Sequence, residues 1–384
     1  MVILVADGVG CGGAEDAAAY GDAGADTLGN LSTQVGGLVL PHLQSLGLGH
    51  VTRIAGVPPA PAPRGAVGVM REASAGKDTI TGHWEMAGVV TDQAFPTFPQ
   101  GFPPEIIQPL AKLAGRAIIG NKPASGTAII EELGPEHLAA GALIVYTSAD
   151  SVLQIATHND VVPVPELHRI CAEARTLVDP FRIGRVIARP FVGQPGAFRR
   201  TYDRKDWPIV CPEDTLLDRL TAAGVPVTGI GKIGDIFGGR GVEQSVHSEG
   251  NADGLRLTLE ALRSMDRGLL FVNLVDFDML YGHRNDCDGF RRALEELDAW
   301  IPQFCNALGD DDVAFLTADH GNDPTTPGTD HTREHVPILA FGARVHPAPL
   351  GVRQAFCDLG QTIAEALTID PLPRGTSFLA QLCP

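Results

Sequence analysis

The run Val313-Ala-Phe-Leu-Thr-Ala-Asp319-His320-Gly-Asn-Asp323, followed by Asp330-His331-Thr-Arg333-Glu-His335, decides how the rest of the chain is read. Val313 to Ala318 is apolar, has the length of one buried strand, and stops at an Asp-His pair. A loop rich in Gly, Pro and Thr then brings back a second histidine, His331. Carboxylate and imidazole donors suit Mn²⁺, Zn²⁺ or Mg²⁺. A ligand pair at a strand end, joined by a third ligand from a stiff loop, is a common way to assemble a metal site. The plainer alternative, histidines bonded to backbone in a polar loop, is the weaker reading.

Two further apolar runs end in acid. Val2 to Ala6 stops at Asp7, and Leu269 to Val275 stops at Asp276-Phe-Asp278, with His283 just beyond. In an open α/β sheet the carboxyl ends of parallel strands share one edge, where ligands bind. Asp7, Asp278, His283, Asp319, His320 and His331 are therefore expected within reach of one another. Six such donors suit two divalent ions, a phosphoryl-transfer device. The segment Gly76-Lys77-Asp78-Thr79-Ile-Thr81-Gly82-His83-Trp84-Glu85 is not a P-loop, because Asp follows Lys and Arg71 stands where the first Gly belongs. By itself it reads first as a helix start with threonine caps, and second as a hydroxyl presented at a helix N-terminus. Beside two metals, the Thr79 hydroxyl becomes a candidate nucleophile.

Composition bounds the rest. A chain of 384 residues exceeds one comfortable core, and 44% hydrophobic with 20% charged residues is ordinary for a globular protein. The net charge of −17 argues against nucleic acid or an anionic membrane as partner. Seven scattered Cys without a CxxC pair do not suggest a disulfide framework and fit a reducing cytosol. No apolar run approaches a membrane span. A cytoplasmic protein is expected, with its oligomeric state left open.

Gly8-Val-Gly10-Cys-Gly12-Gly13 and Gly229-Ile-Gly231-Lys232-Ile-Gly234 both spell G-x-G-x-x-G. The first would aim Asp7 at a pyrophosphate, and the second runs into Gly238-Gly239-Arg240-Gly241 where a helix is required, so neither is read as a dinucleotide site. The second loop, with Lys232, could instead hold a phosphate. Phe95-Pro-Thr-Phe-Pro-Gln-Gly-Phe-Pro-Pro marks a domain boundary, and the first domain resumes at about Trp207. Between them, alternating helical and strand-like segments predict a small α/β module. Its late cations Arg185, Arg189, Arg199, Arg200, Arg204 and Lys205 form either an anion clamp or a solvated surface.

The longer motifs carry a resemblance. Gly24-Ala-Asp-Thr-Leu-Gly29, the Gly76 to Glu85 segment, Ile118-Ile-Gly-Asn-Lys-Pro-Ala-Ser-Gly126, Val145-Tyr-Thr-Ser-Ala-Asp-Ser-Val-Leu-Gln154, Gly184-Arg-Val-Ile-Ala-Arg-Pro-Phe191, Asn273-Leu-Val-Asp-Phe-Asp278 and Thr317-Ala-Asp-His-Gly-Asn-Asp-Pro324 are similar, along nearly the whole length, to phosphopentomutases of the alkaline-phosphatase-like metalloenzyme superfamily. The resemblance implies an α/β fold, with a mostly parallel central sheet flanked by helices in a core of residues 1–94 and 207–384. A smaller α/β cap of residues 95–206 would be inserted in it. It implies two Mn²⁺ ions, one held by Asp278, His283 and His331 and the other by Asp7, Asp319 and His320. Thr79, not Thr81, matches the phosphorylated threonine. Ribose 1-phosphate and 2-deoxyribose 1-phosphate would be interconverted with their 5-phosphates through a 1,5-bisphosphate. Glucose 1,6-bisphosphate or a pentose 1,5-bisphosphate would prime the enzyme. Ser148, Asp150, Arg185 and Arg200 of the cap would lie near the pentose phosphate, and Lys232 would approach it from the core. One departure is Gly8, where relatives usually carry Ser. The rivals are a phosphatase or phosphodiesterase on the same metals, a cofactor-independent phosphoglycerate mutase, a nucleotide-binding oxidoreductase and a non-catalytic metal-binding protein.

Overall fold

All five residues of Val2–Ala6 (β1) are buried, as a continuous apolar run requires of a strand covered on both faces. A computed structural model describes residues 1–148 and 151–383, and β1 lies at the middle of its larger sheet. The chain leaves β1 through helices Thr27–Gln34 (α1) and Pro41–Leu46 (α2), forms Ala66–Met70 (β2), and enters helix Thr79–Met86 (α3). It then builds a second unit, Phe95–Val210, before returning at Cys211.

The second unit contains helices Pro104–Ala114 (α4), Gly126–Ala140 (α5) and Val164–Val178 (α6). Its strands are Ile118–Pro123 (β3), Leu143–Thr147 (β4), Val152–His158 (β5), Arg185–Val192 (β6), Arg199–Arg200 (β7) and Lys205–Pro208 (β8). They form a mixed sheet in the order β3-β4-β5-β6-β7, with β8 also on β6. Trp207-Pro208, expected to reopen the core, instead pairs with Val186 and Arg185, and this pairing keeps the segment in the second unit as far as Val210.

The returning chain adds Leu216–Ala222 (α7), Val227–Ile230 (β9), Ile233–Ile236 (α8), Gln244–Val246 (β10), Asn251–Ser264 (α9), Leu269–Leu274 (β11), Cys287–Ala307 (α10), Ala314–Thr317 (β12), Val336–Phe341 (β13), Pro349–Arg353 (β14) and Cys357–Ala366 (α11). Among the described residues the larger sheet runs β10-β9-β11-β1-β12-β13-β2-β14. All neighbours are parallel except at β13, which opposes both β12 and β2. The short strands β2, β10 and β14 carry too few apolar residues in a row to be read from sequence. Helix α10 is amphipathic: Phe290, Ala293, Leu294, Leu297, Ile301 and Phe304 are buried at three- and four-residue spacing. From the same face Asp298 accepts the His42 and Leu43 N–H groups, capping α2, whose N-cap Leu40 has no side-chain acceptor.

Charge divides unevenly. Residues 95–210 hold 12 of the 29 Lys and Arg and 11 of the 46 Asp and Glu, so essentially all the net charge of −17 falls on the other unit. No helix among the described residues is long and apolar enough to cross a membrane.

Candidate metal centre

Parallel pairing of β1 between β11 and β12 puts three strand ends on one edge, with Ala6 beside Leu274 and Val5 beside Thr317. Asp7 follows β1 directly, and Asp319-His320 follow β12 after one residue. Asp278 is not at a strand end as the sequence suggested. It lies in a π-helical turn, Phe277–Tyr281, that carries its carboxylate back over the sheet edge. The reversal at β13 explains His331: the loop after β12 must return to the same edge, and Gly321 and Thr332 exchange backbone hydrogen bonds across it.

Two groups of donors result. One ligand atom each from Asp278, His283 and His331 lie within 4.8 Å of one another, and so do those of Asp7, Asp319 and His320. The groups adjoin, with His320 and His331 ring centroids 4.1 Å apart. His320 Nδ1 lies 3.1 Å from the Gly321 carbonyl and His283 Nδ1 lies 2.7 Å from that of Thr329, so each Nδ1 donates and each Nε2 faces the acids. His320 Nε2 is 3.3 Å from Asp7 Oδ1 and 3.4 Å from Asp319 Oδ2, while His331 Nε2 is 3.3 Å from Asp278 Oδ1. Yet Asp7 Oδ1, Asp319 Oδ2 and His331 Nε2 are buried without a hydrogen-bond partner. Buried polar atoms that converge without bonding one another are costly unless they share an ion, and the donor set fits divalent cations.

Electrostatics agree. Burial pushes the Asp7 carboxyl up, and the charges of Asp319 and Asp278 push it further. Burial acts the same way on Asp319 and Asp278, but the neighbouring histidines outweigh it, His320 and His83 holding Asp319 down to about 2 and His331 and His283 holding Asp278 well below the usual carboxylate range. Burial lowers His320, yet Asp319 and Asp7 lift it well above its ordinary 6.5. In the metal-free protein, then, a proton on His320 does part of a cation's work. A divalent ion held by His320 Nε2 would displace that proton, so metal binding is expected to release protons and to weaken as pH falls below the raised His320 value. Calorimetry in buffers of different ionisation enthalpy reads the proton count; zero release below the raised His320 value would contradict the assignment.

Thr79 opens helix α3 and is half-buried, with its Oγ1 3.3 Å from His320 Nε2. The threonines are not the cap: Asp78 is, accepting the Thr81 N–H at 3.1 Å and the Thr81 hydroxyl at 2.7 Å. Thr81 is thereby occupied, while Thr79 faces the donors. A Cβ on Gly82 would collide with the Asp319 carbonyl oxygen, so the helix sits directly on the ligand-bearing backbone. Gly82→Ala should therefore destabilise the protein by roughly 1–3 kcal/mol. Thermal denaturation of the variant checks this, and an unchanged melting temperature would show the contact to be soft. Gly8 has φ +77, and its N–H donates to Asp319 Oδ1 at 3.1 Å. Serine there would have to adopt a left-handed backbone that glycine adopts freely. The space beside Gly10 is taken by the Glu334 carboxylate, so the first Gly-rich loop is filled from within.

Several supports gave no signal in the sequence. Asn322 Nδ2 donates to Asp278 Oδ1 at 2.6 Å, and Asn273 Nδ2 to Asp7 Oδ2 at 2.9 Å. Buried Arg333 donates to Glu72, to the Ser74 and Gly76 carbonyls and to Asp16, tying the His331 loop to the loop before Thr79. Glu85 accepts the Ala73, Ser74 and Phe356 N–H groups. A partner three hundred residues away leaves no local pattern.

Of the expected substrate residues, Lys232 is half-buried at the start of α8, and its charge is felt by Asp7. In the second unit Ser148 follows β4, Arg185 opens β6 with a guanidinium nitrogen 3.9 Å from Asp206, and Arg200 is exposed on β7. Asp150 lies outside the described residues. The buried Tyr146 hydroxyl there is raised by burial and faces the charges of Arg189, Arg200 and Arg204.

Comparison with known proteins decides the family. The family model described as Metalloenzyme superfamily matches residues 1–371. A phosphopentomutase of Anaeromyxobacter sp. (strain K) is 58% identical over 383 residues, covering 100% of this chain and 98% of the relative. The chain belongs to the phosphopentomutase family. A phosphopentomutase of Clostridium novyi (strain NT) is 50% identical over 384 residues, with 100% of this chain and 98% of the relative covered. Phosphopentomutases are isomerases within a metalloenzyme family. A solved structure from Pyrococcus horikoshii, with TM-score 0.50 and 14% identity, covers 96% of this chain and 97% of that one, and shares the fold alone. The architecture is the α/β fold of that metalloenzyme superfamily.

Proposed function

We propose that this chain interconverts ribose 1-phosphate, and its 2-deoxy counterpart, with the corresponding 5-phosphate through a phosphorylated Thr79. The observation that carries the reading is the Thr79 hydroxyl, 3.3 Å from His320 Nε2 where the two donor groups adjoin. Asp278, His283 and His331 would hold one divalent ion and Asp7, Asp319 and His320 the other, with Mn²⁺ the proposed metal. When bound, the ions supply the positive charge that makes phosphoryl oxygens and a threonine alkoxide tolerable in a buried acidic site.

The chain's own groups do the rest. Asp78 and the first turn of α3 present Thr79 Oγ1 with its backbone fixed, while Asn273 and Asn322 hold the acids in place. Phosphothreonine transfers its phosphoryl group to the free hydroxyl of a pentose monophosphate. The bond to Thr79 Oγ1 breaks, one to the sugar oxygen forms, and the sugar hydroxyl's proton leaves as Oγ1 regains one. The 1,5-bisphosphate then returns its other phosphate to Thr79 by the reverse chemistry. Glucose 1,6-bisphosphate or a pentose 1,5-bisphosphate is the proposed source of the first phosphate. Ser148, Asp150, Arg185, Arg200 and Lys232 are the proposed substrate-binding residues, with the arginines for the distal phosphate; the Arg189, Arg200 and Arg204 charges around Tyr146 support an anion there. A cytoplasmic location is proposed with this function.

The test supplies ribose 1-phosphate, Mn²⁺ and a trace of glucose 1,6-bisphosphate, and follows ribose 5-phosphate and free phosphate together. Ribose 5-phosphate with little free phosphate is expected. Mainly free phosphate would make the protein a phosphatase on the same donors.

A further inference from the structure

Helix α3 is seated on one donor group in particular, and the residue that seats it is one the reaction scheme leaves unused. His83 lies one turn after Thr79, is fully buried, and stacks on Phe271 at 5.6 Å. Its Nδ1 is 2.9 Å from the Thr79 carbonyl oxygen and 3.1 Å from Asp319 Oδ2. The Thr79 carbonyl only accepts, so Nδ1 carries the proton, with the Asp319 carboxylate beside it as a charge contact. Its Nε2 is 3.4 Å from Asn273 Nδ2, which itself donates to Asp7 Oδ2 at 2.9 Å. A donor faces Nε2, so that nitrogen accepts. One imidazole thus touches the backbone of Thr79, one acid of the Asp7, Asp319 and His320 group directly, and the other acid through one amide. The Asp278, His283 and His331 group is held from elsewhere, by Asn322 and the Thr329 carbonyl.

We infer that His83 is a positioning residue that locks Thr79 to the Asp7, Asp319 and His320 site, so that filling this site and aiming the Thr79 hydroxyl become one event. The inference rests on the reading of Thr79 as the phosphoryl acceptor. A residue that merely filled space against Phe271 would need neither its Nδ1 proton nor its Nε2 lone pair. Neighbours that orient metal ligands typically matter 10–100-fold in affinity or activity.

The two roles separate by substitution. Asn at position 83 places an amide nitrogen close to where Nδ1 sits, whereas Leu keeps the apolar volume and removes the polarity. Mn²⁺ titration of full-length metal-free protein, followed by calorimetry, should resolve two ions in wild type. His83→Leu is expected to weaken one of them by roughly 10–100-fold and the other by less than about 3-fold, with His83→Asn recovering most of the loss. With both sites saturated, a single-turnover measurement of Thr79 phosphorylation by glucose 1,6-bisphosphate, read by mass spectrometry, should be slowed in the Leu variant by a similar factor. Equal weakening of both ions, equal loss in the Asn and Leu variants, or no change in either measurement would overturn the inference. If wild type binds both ions but Thr79 stays unphosphorylated, the mutase reading fails, and the selective loss of one ion in His83→Leu still decides the link from His83 to its site.

Discussion

Thr79→Ala should lose at least about 10³-fold in kcat/KM for pentose phosphate isomerisation, because Thr79 presents the hydroxyl that faces the donors while the Thr81 hydroxyl is held by Asp78. The structure makes this a clean experiment. Thr79 is the first residue of its helix, but Asp78 supplies the N-cap, so removing the threonine side chain leaves the helix start intact. None of the six donors is replaced, and although His320 loses the Thr79 hydroxyl beside it, the centre should still bind divalent metal. Melting temperature and metal stoichiometry are therefore expected near wild type while turnover disappears. Mass spectrometry of wild type after glucose 1,6-bisphosphate should show one added phosphoryl group on the peptide containing Thr79, and none in the variant. Thr79→Ser should keep part of the activity, since it retains a hydroxyl. A Thr79→Ala enzyme keeping more than about a tenth of wild-type turnover would remove the phosphothreonine from the mechanism and leave direct transfer in its place.

Stripping divalent metal should abolish turnover and lower thermal stability together. Asp7 and Asp319 are completely buried and Asp278 nearly so, and three of the donor atoms in the two groups lack a hydrogen-bond partner. Such groups favour the folded state strongly only when an ion joins them. An ion that binds only the folded chain stabilises it by about 2.7 kcal/mol at one hundred times its Kd, so two sites at that level give roughly 5 kcal/mol. Differential scanning calorimetry with and without a chelator should show a drop of several degrees, reversed by Mn²⁺. Asp319→Asn should bind one ion fewer and respond less to the chelator. A chelated protein with the same melting temperature and full turnover would rule out the metal reading of the six residues.

Both predictions concern residues visible in the sequence, and the reason they were visible is physical. Strands covered on both faces must be apolar throughout, so an acid at the end of such a run stands out, as Asp7 and Asp319 do. Asp278 was harder to place: its acid could be seen, but not the π-helical turn that carries it past the strand end. Thr79 and Thr81 could be told apart only by resemblance until the fold showed Thr81 held by Asp78 and Thr79 turned to His320.

Sequence alone determined which side chains are candidate donors to a cation, and that they follow buried, mostly parallel strands with a module between them. Local patterns suffice there, because strand burial and residue type are properties of short segments. Tertiary structure alone decided which acids are held and by what. His83, Asn273, Asn322, Arg333 and Glu85 act on partners brought near by the reversal at β13 and by the docking of α3 on Asp319, and their contacts join residues as far apart as Asp16 and Arg333. Such bonds form because the loops and helix α3 packed on the carboxyl edge of the sheet bury these polar groups away from water and leave them one another as partners.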